Sequence, residues 1–144
     1  MTIYSMKCPY CESSQFFVTN SRVSGVAIWR RRKCQKCQGV FSSMERIVLA
    51  NLKIIKKSGQ SERYDKSKIY LGIYRAVNES KWISRSSARK ITQIVTDKVE
   101  MELIRLCKEY IKGQTVGKLI MKILKSITHE GYLRFSAYFI KQAS

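Results

Sequence analysis

Two hydrophobic rhythms divide the chain. Up to about residue 46 the apolar positions come in short runs of β-formers, with Phe16, Phe17 and Val18 in one and Val26, Ala27, Ile28 and Trp29 in the next. Ser24 and Gly25 separate the runs, a pattern that predicts an antiparallel hairpin or a three-stranded sheet. Further on, Leu52 to Lys57 read as a strand, Ser58-Gly59 as a tight turn and Gln60 to Tyr64 as the returning strand. Helical spacing then takes over. Asp65 is a suitable N-cap for a helix with Ile69, Ile73 and Val77 four residues apart. A second helix is predicted from Ser86 or Ser87, with Ile91, Ile94, Val95, Val99, Leu103, Leu106 and Tyr110 on one face. Gly113 ends the connection to a third, marked by Val116, Leu119, Ile120, Ile123, Leu124 and Ile127, and a fourth runs from about Glu130 to Ile140. The expected fold class is α+β: a small antiparallel sheet over residues 1–48, then a mainly helical domain with a β-hairpin over 49–144.

Charge changes the picture first. Lys and Arg number 28 against 10 acidic residues, a formal net charge of +18. The excess is +6 up to Val48 and +12 beyond it, so no basic tail accounts for it. A charge that large on 144 residues calls for an anionic partner, nucleic acid foremost. The 44% hydrophobic content supplies cores for both units. No apolar run reaches the roughly 20 residues that span a bilayer, and the segment before Cys8 is too short and polar for a signal peptide. A cytoplasmic, nucleoid-associated protein without membrane partners is expected.

Four of the five cysteines form two C-x-x-C pairs, Cys8 with Cys11 and Cys34 with Cys37. Each such turn can place two thiolates on one ion, and two turns close the tetrahedral shell that Zn²⁺ prefers. The expectation is one structural zinc in a zinc ribbon. Redox dithiols of this spacing belong to a βαβ context that is lacking here. With four protein ligands no position remains for a reacting water, which argues against zinc catalysis. The single histidine, His129, reads as an exposed residue at a helix start, and Cys107 as a small core residue on the second long helix. No acid-base pair or nucleophile site stands out, so no enzyme is expected.

Immediately before the second cysteine pair stands Trp29-Arg30-Arg31-Arg32-Lys33, with Arg22 across the presumed hairpin and Lys36 at the knuckle. Guanidinium groups fork onto phosphate oxygens and guanine edges. Arg22, Arg30, Arg31, Arg32 and Lys33 are therefore the candidate nucleic-acid contacts, although a basic strand alone does not separate DNA from RNA.

At several spaced points the sequence resembles the NrdR family, the bacterial repressors of ribonucleotide reductase genes. The likeness begins at Lys7-Cys8-Pro9-Tyr10-Cys11 and continues through Asn20-Ser21-Arg22, Ile28 to Cys34 and Val40-Phe41-Ser42-Ser43-Met44-Glu45-Arg46. Behind it, Ile54-Ile55-Lys56-Lys57-Ser58-Gly59 and Tyr64-Asp65-Lys66-Ser67-Lys68-Ile69 are similar to the ATP-cone signature. Gly117 to Met121 and Tyr132 to Phe135 resemble the family's C-terminal motifs. The resemblance implies a homo-oligomeric repressor that binds double-stranded DNA at operators upstream of ribonucleotide reductase genes, with ATP and dATP in the cone controlling its oligomeric state. It also implies that Glu62 and Asp65 contact the nucleoside. The residues agree: Lys56 and Lys57 at a hairpin turn and Lys68 in the following helix can converge on one triphosphate. By themselves the first two read equally well as strand-edge charge.

Departures from the family pattern are Asn20 for an acidic residue, Trp29 for an arginine, Gly113 for Ser or Thr and Phe139 for tyrosine. Thr115 could supply the hydroxyl if the turn shifts. The cone helices also carry Lys81, Arg85, Arg89, Lys90, Lys118, Lys122 and Lys125. These features leave open an altered nucleotide selectivity, or a cone that lies against DNA. The alternative function is a constitutive DNA- or RNA-binding zinc-ribbon protein with a degenerate cone.

Overall fold

A computed structural model describes residues 5–143. It divides into two compact units, Met1–Val48 and Leu49–Ser144.

In the first unit, β1 (Phe16–Ser24), β2 (Ala27–Cys34) and β3 (Val40–Arg46) form an antiparallel sheet in the order β1-β2-β3. Gly25, at φ 57°, makes the short β1–β2 turn. A bulge at Thr19 interrupts the register, and the Thr19 hydroxyl donates to the Arg31 carbonyl at 3.2 Å. Phe16 and Phe41 pack edge to face with centroids 5.4 Å apart. Among the described residues of this unit only Cys8, Val26 and Cys34 are buried. So small a core cannot offset the entropy of ordering the chain, and a further cross-link is needed.

The second unit opens with β4 (Lys53–Ile55) and β5 (Ser61–Arg63), then α1 (Lys66–Asn78), α2 (Arg85–Leu106), β6 (Tyr110–Lys112), α3 (Gly113–Ile127) and α4 (His129–Ala143). α1 packs on α2 and α4, and α3 packs on the same two helices. Ile73, Val77, Val95, Val99, Leu103 and Leu124 are fully or almost fully buried between them. Asp65 caps α1 by accepting from the Ser67 N–H at 2.8 Å, and Ser84 caps α2 by accepting from Ser87.

Several expectations need correction. The hairpin strands are three residues each, because the turn from Lys56 to Gln60 takes up the flanking positions. The sheet has a third strand: β6 lies parallel to β4, pairing Ile111 with Ile54, in the order β5-β4-β6. β6 shows one buried residue, Ile111, between exposed Tyr110 and Lys112, too short an alternation to read from sequence. Tyr110 therefore does not belong to the α2 face. That helix stops at Leu106, where Cys107 adopts the left-handed conformation at φ 49° and is exposed rather than in the core. Ile94 and Leu106 also face solvent, since the buried stripe follows Thr92, Val95, Thr96, Val99 and Leu103. The two threonines fit this stripe because their hydroxyls donate to the Ala88 and Thr92 carbonyls, both at 2.7 Å.

Candidate functional site

The two cysteine turns are built alike. In the first, the Glu12 N–H donates to the Cys8 carbonyl at 2.9 Å, and in the second the Gln38 N–H donates to the Cys34 carbonyl at 3.1 Å. Glu12 and Gln38, each one residue past the second cysteine, both take a positive φ of about 60° (59° and 61°). The matched turns point four sulfurs inward, all within 4.8 Å of one another. Cys8 and Cys37 Sγ stand 3.7 Å apart and Cys11 and Cys34 Sγ 3.6 Å. A tetrahedron with metal–sulfur bonds of about 2.3 Å has edges of about 3.8 Å, so the set fits zinc. Tyr10 joins the two knuckles by donating its hydroxyl to the Val40 carbonyl at 3.1 Å.

Electrostatics support the same fit. Backbone N–H groups led by that of Cys37 pull the Cys34 thiol down to about 6. Cys37 receives a similar N–H from Gly39, but desolvation and the three neighbouring sulfurs outweigh it and push the thiol up to about 12. Thiolates this close repel one another, and a divalent cation at their centre removes the conflict. When bound, zinc supplies a cross-link between the two turns and no open coordination position.

The pleat of β2 divides the basic run. Trp29, Arg31 and Lys33 share one face of the sheet, with Arg22 opposite Trp29 and Ser42 opposite Arg31. Arg22 and Arg31 are exposed there. Arg30 and Arg32 point to the other face and have partners in the sheet. Arg30 pairs with Glu45 at 3.3 Å, and Arg32 donates to Ser43 at 2.7 Å while its guanidinium lies 5.3 Å from the Phe16 ring centroid. Five cations adjacent in sequence or register are thus two sets rather than one strip.

In the second unit, Lys56 and Lys68 both reach the same oxygen of Glu62, at 2.8 and 2.9 Å. The two ammonium groups hold the Glu62 carboxyl below its ordinary range, and Glu62 holds the Lys68 ammonium above its own. Lys57 sits beside Lys56 in the exposed turn. Lys68, Glu62 and Asp65 border a cavity of about 170 Å³, whose walls include Ile54, Tyr64, Val116, Ile120, Phe135 and Phe139. That is an apolar slot with a charged mouth. Gly113 and Gly117, one turn apart on α3, complete the wall. A Cβ on Gly117 would collide with the Phe139 ring, whereas one on Gly113 would make only ordinary contacts with Ile54 and Ile55. Space for a Cβ at Gly113 is therefore present and unused. The N-terminus of α3 has no side-chain cap, which leaves its first N–H groups beside the slot.

A sequence profile for the N-terminal domain of NrdR-like transcriptional repressors matches residues 6–45, and one for the ATP cone domain matches residues 52–142. A transcriptional repressor NrdR of Petrotoga mobilis is 36% identical over 136 residues, covering 93% of this chain and 87% of that protein. Those of Pediococcus pentosaceus and Kosmotoga olearia are 35% and 31% identical, each covering 93% of this chain and 83% of the relative. The chain belongs to the NrdR family. Its sheet unit is the family's zinc ribbon and its helical unit the ATP cone, and the family's named members are transcriptional regulators rather than enzymes.

Within this NrdR cone, sequence reasoning found the charged mouth of the slot but missed its walls. The one signal for them is Gly113 and Gly117 at helical spacing, which leaves a bare strip on α3. A partly buried network that includes Tyr64 of the slot was also not legible in the sequence. Glu100, almost fully buried, accepts from the Tyr64 hydroxyl at 3.2 Å and from Lys66 at 2.9 Å, and Lys66 also pairs with Asp97. It ties the Tyr64 ring of the slot to α2.

Proposed function

We propose that this chain is a nucleotide-sensing, DNA-binding repressor acting at operators upstream of ribonucleotide reductase genes. ATP or dATP in the cone sets its homo-oligomeric state and thereby its DNA affinity. The observation that carries this reading is the convergence of Lys56 and Lys68 on one carboxylate oxygen at the mouth of an apolar slot. Glu62 occupies the place an anion would take. A triphosphate brings more charge to the same two ammonium groups, with the α3 N-terminus adding backbone donors and the apolar wall facing the base. Glu62, released from the two lysines when the triphosphate takes its place, and Asp65 are then the nucleoside contacts that the family resemblance implies. A ligand shifts an assembly equilibrium only by its differential affinity for the assemblies, so ATP and dATP must fill this slot differently in each.

The ribbon presents Arg22, Arg31 and Lys33 to the duplex, and Arg30 and Arg32 act mainly by holding β1, β2 and β3 together. Zinc at Cys8, Cys11, Cys34 and Cys37 keeps that face rigid. Among the described residues no helix is long and apolar enough to cross a membrane, and operator binding places the protein on the nucleoid. The alternative, a constitutive nucleic-acid binder with an inert cone, draws on Gly113. The intact slot and paired lysines weigh against it.

Arg31→Ala is expected to weaken binding to every duplex and make the plot of log affinity against log salt shallower by about one, the loss of a single phosphate contact. If Arg31 reads a base instead, the loss is about 1–3 kcal/mol and confined to one position of the site. Arg30→Ala should do less to affinity and more to ribbon stability. Fluorescence anisotropy on a labelled operator at several salt concentrations checks both. A larger effect from Arg30 than from Arg31 would assign DNA to the opposite face.

A further inference from the structure

The turn between α1 and α2 has no role in either site, yet it carries the most exposed large apolar side chain described. Trp82 is 89% exposed. The turn is fixed rather than loose. Ser80 is buried, its hydroxyl contacts Glu130 and also accepts from the Trp82 N–H at 3.2 Å, and Ile83 packs into the cone's core. With Ser80 and Ile83 anchored, Lys81 and Trp82 between them are held outward.

Four cations lie near Trp82 along the chain: Lys81 beside it in the turn, and Arg85, Arg89 and Lys90 in the first turns of α2, all exposed. No acidic residue occurs between Glu79 and Asp97. Among the described residues the cone's ion pairs engage Lys56, Lys66, Lys68, Arg105 and Arg134, and none of the four cations makes one. Arg85 and Arg89 are one helical turn apart and repel each other, next to a helix end that itself disfavours positive charge. Single exposed apolar residues are commonplace. A tryptophan carried outward by an anchored turn, with four neighbouring cations that have no ion pair among the described residues, is a different arrangement, and its charge selects a polyanion.

We infer that this patch is a second DNA-contact surface, with Lys81, Arg85, Arg89 and Lys90 on phosphates and the Trp82 indole against the sugar edges between them. The ligand is the phosphodiester backbone of duplex DNA, recognised without regard to sequence. The inference rests on the reading of the chain as a DNA-binding repressor but assigns the cone a part in it that is separate from nucleotide sensing. It accounts for charge that neither the zinc ribbon nor the nucleotide slot uses.

The test uses the full-length protein and a labelled operator duplex titrated at several salt concentrations. Lys81→Gln/Arg85→Gln/Arg89→Gln should make the salt slope shallower by about two to three, at about 0.9 per phosphate released. Zinc content and ATP binding should stay at wild-type values. Lys81→Arg/Arg85→Lys/Arg89→Lys keeps the charge and should keep the slope. Trp82→Ala should lower affinity several-fold by the same factor at every salt concentration, because it removes contact without charge. Arg22→Gln/Arg31→Gln is the comparison for the ribbon. A wild-type slope in the triple Gln variant, with binding weakened in the ribbon variant, overturns the inference and leaves the repressor reading standing. Failure of the wild type to bind duplex at all overturns both. Binding of anionic vesicles that depends on the patch, with duplex binding indifferent to it, would assign the surface to membranes and likewise overturn the inference.

Discussion

Replacing Cys34 with serine should abolish zinc binding, unfold the ribbon and reduce operator affinity by at least about a thousandfold, the lower end of the gap between specific and non-specific DNA binding. The size of the effect follows from how little else holds this unit. Cys8, Val26 and Cys34 are its only buried side chains among the described residues, and two of them belong to the four-cysteine set that could hold the metal. Metal binding of about 10–16 kcal/mol in comparable modules is then most of the folding free energy. Arg22, Arg31 and Lys33 depend on the register of β1 and β2 for their common face, so losing the sheet disperses them. All four helices among the described residues lie in the other unit, and far-ultraviolet circular dichroism should report almost undiminished helix. Zinc content measured on the same sample completes the test. A variant free of zinc that still binds the operator as tightly as wild type would contradict the structural role of the metal.

Charge reversal at Lys68 should weaken ATP and dATP binding by at least about a hundredfold. A charge-assisted hydrogen bond to the phosphates is worth about 1.5–3 kcal/mol, and Lys68→Glu would add a second carboxylate beside Glu62 at the mouth of the slot. Lys68→Met, which removes charge without reversing it, should fall between the two. Lys57→Glu is expected to act in the same direction with a smaller loss, since Glu62 gathers Lys56 and Lys68. Each variant should keep the wild-type helix content and zinc, because Lys68 is exposed and lies outside the core. Calorimetry with both nucleotides is the direct measurement. Unchanged affinity in Lys68→Glu would place the nucleotide elsewhere on this basic domain.

What the sequence disclosed follows from how local each signal is. C-x-x-C turns, the Asp65 cap and four-residue apolar spacing are set by neighbours within a few positions, and the metal cluster and all four helices were legible for that reason. The parallel strand β6 depends on pairing with β4 more than fifty residues earlier, and three residues carry no period of their own. Cys107 looked internal because it follows Leu106 on an apolar stripe, but the left-handed turn at that position swings it into solvent. The run Arg30-Arg31-Arg32 reads as one patch in one dimension. Only the alternation of β2, with Glu45 and Ser43 across the register, shows that the middle arginine stands apart from its neighbours. The slot was half legible: its lysines belong to a recognisable spacing, while its walls come from β4, α1, α3 and α4 and meet only in the fold.

The central claim is that nucleotide in the cone governs DNA binding by the ribbon. Operator affinity of the wild-type protein, measured by anisotropy at fixed salt with ATP, with dATP and with neither, tests it most directly. The account predicts different dissociation constants in the three conditions and a single value in all three for Lys68→Glu. One dissociation constant for the wild type regardless of nucleotide would contradict it.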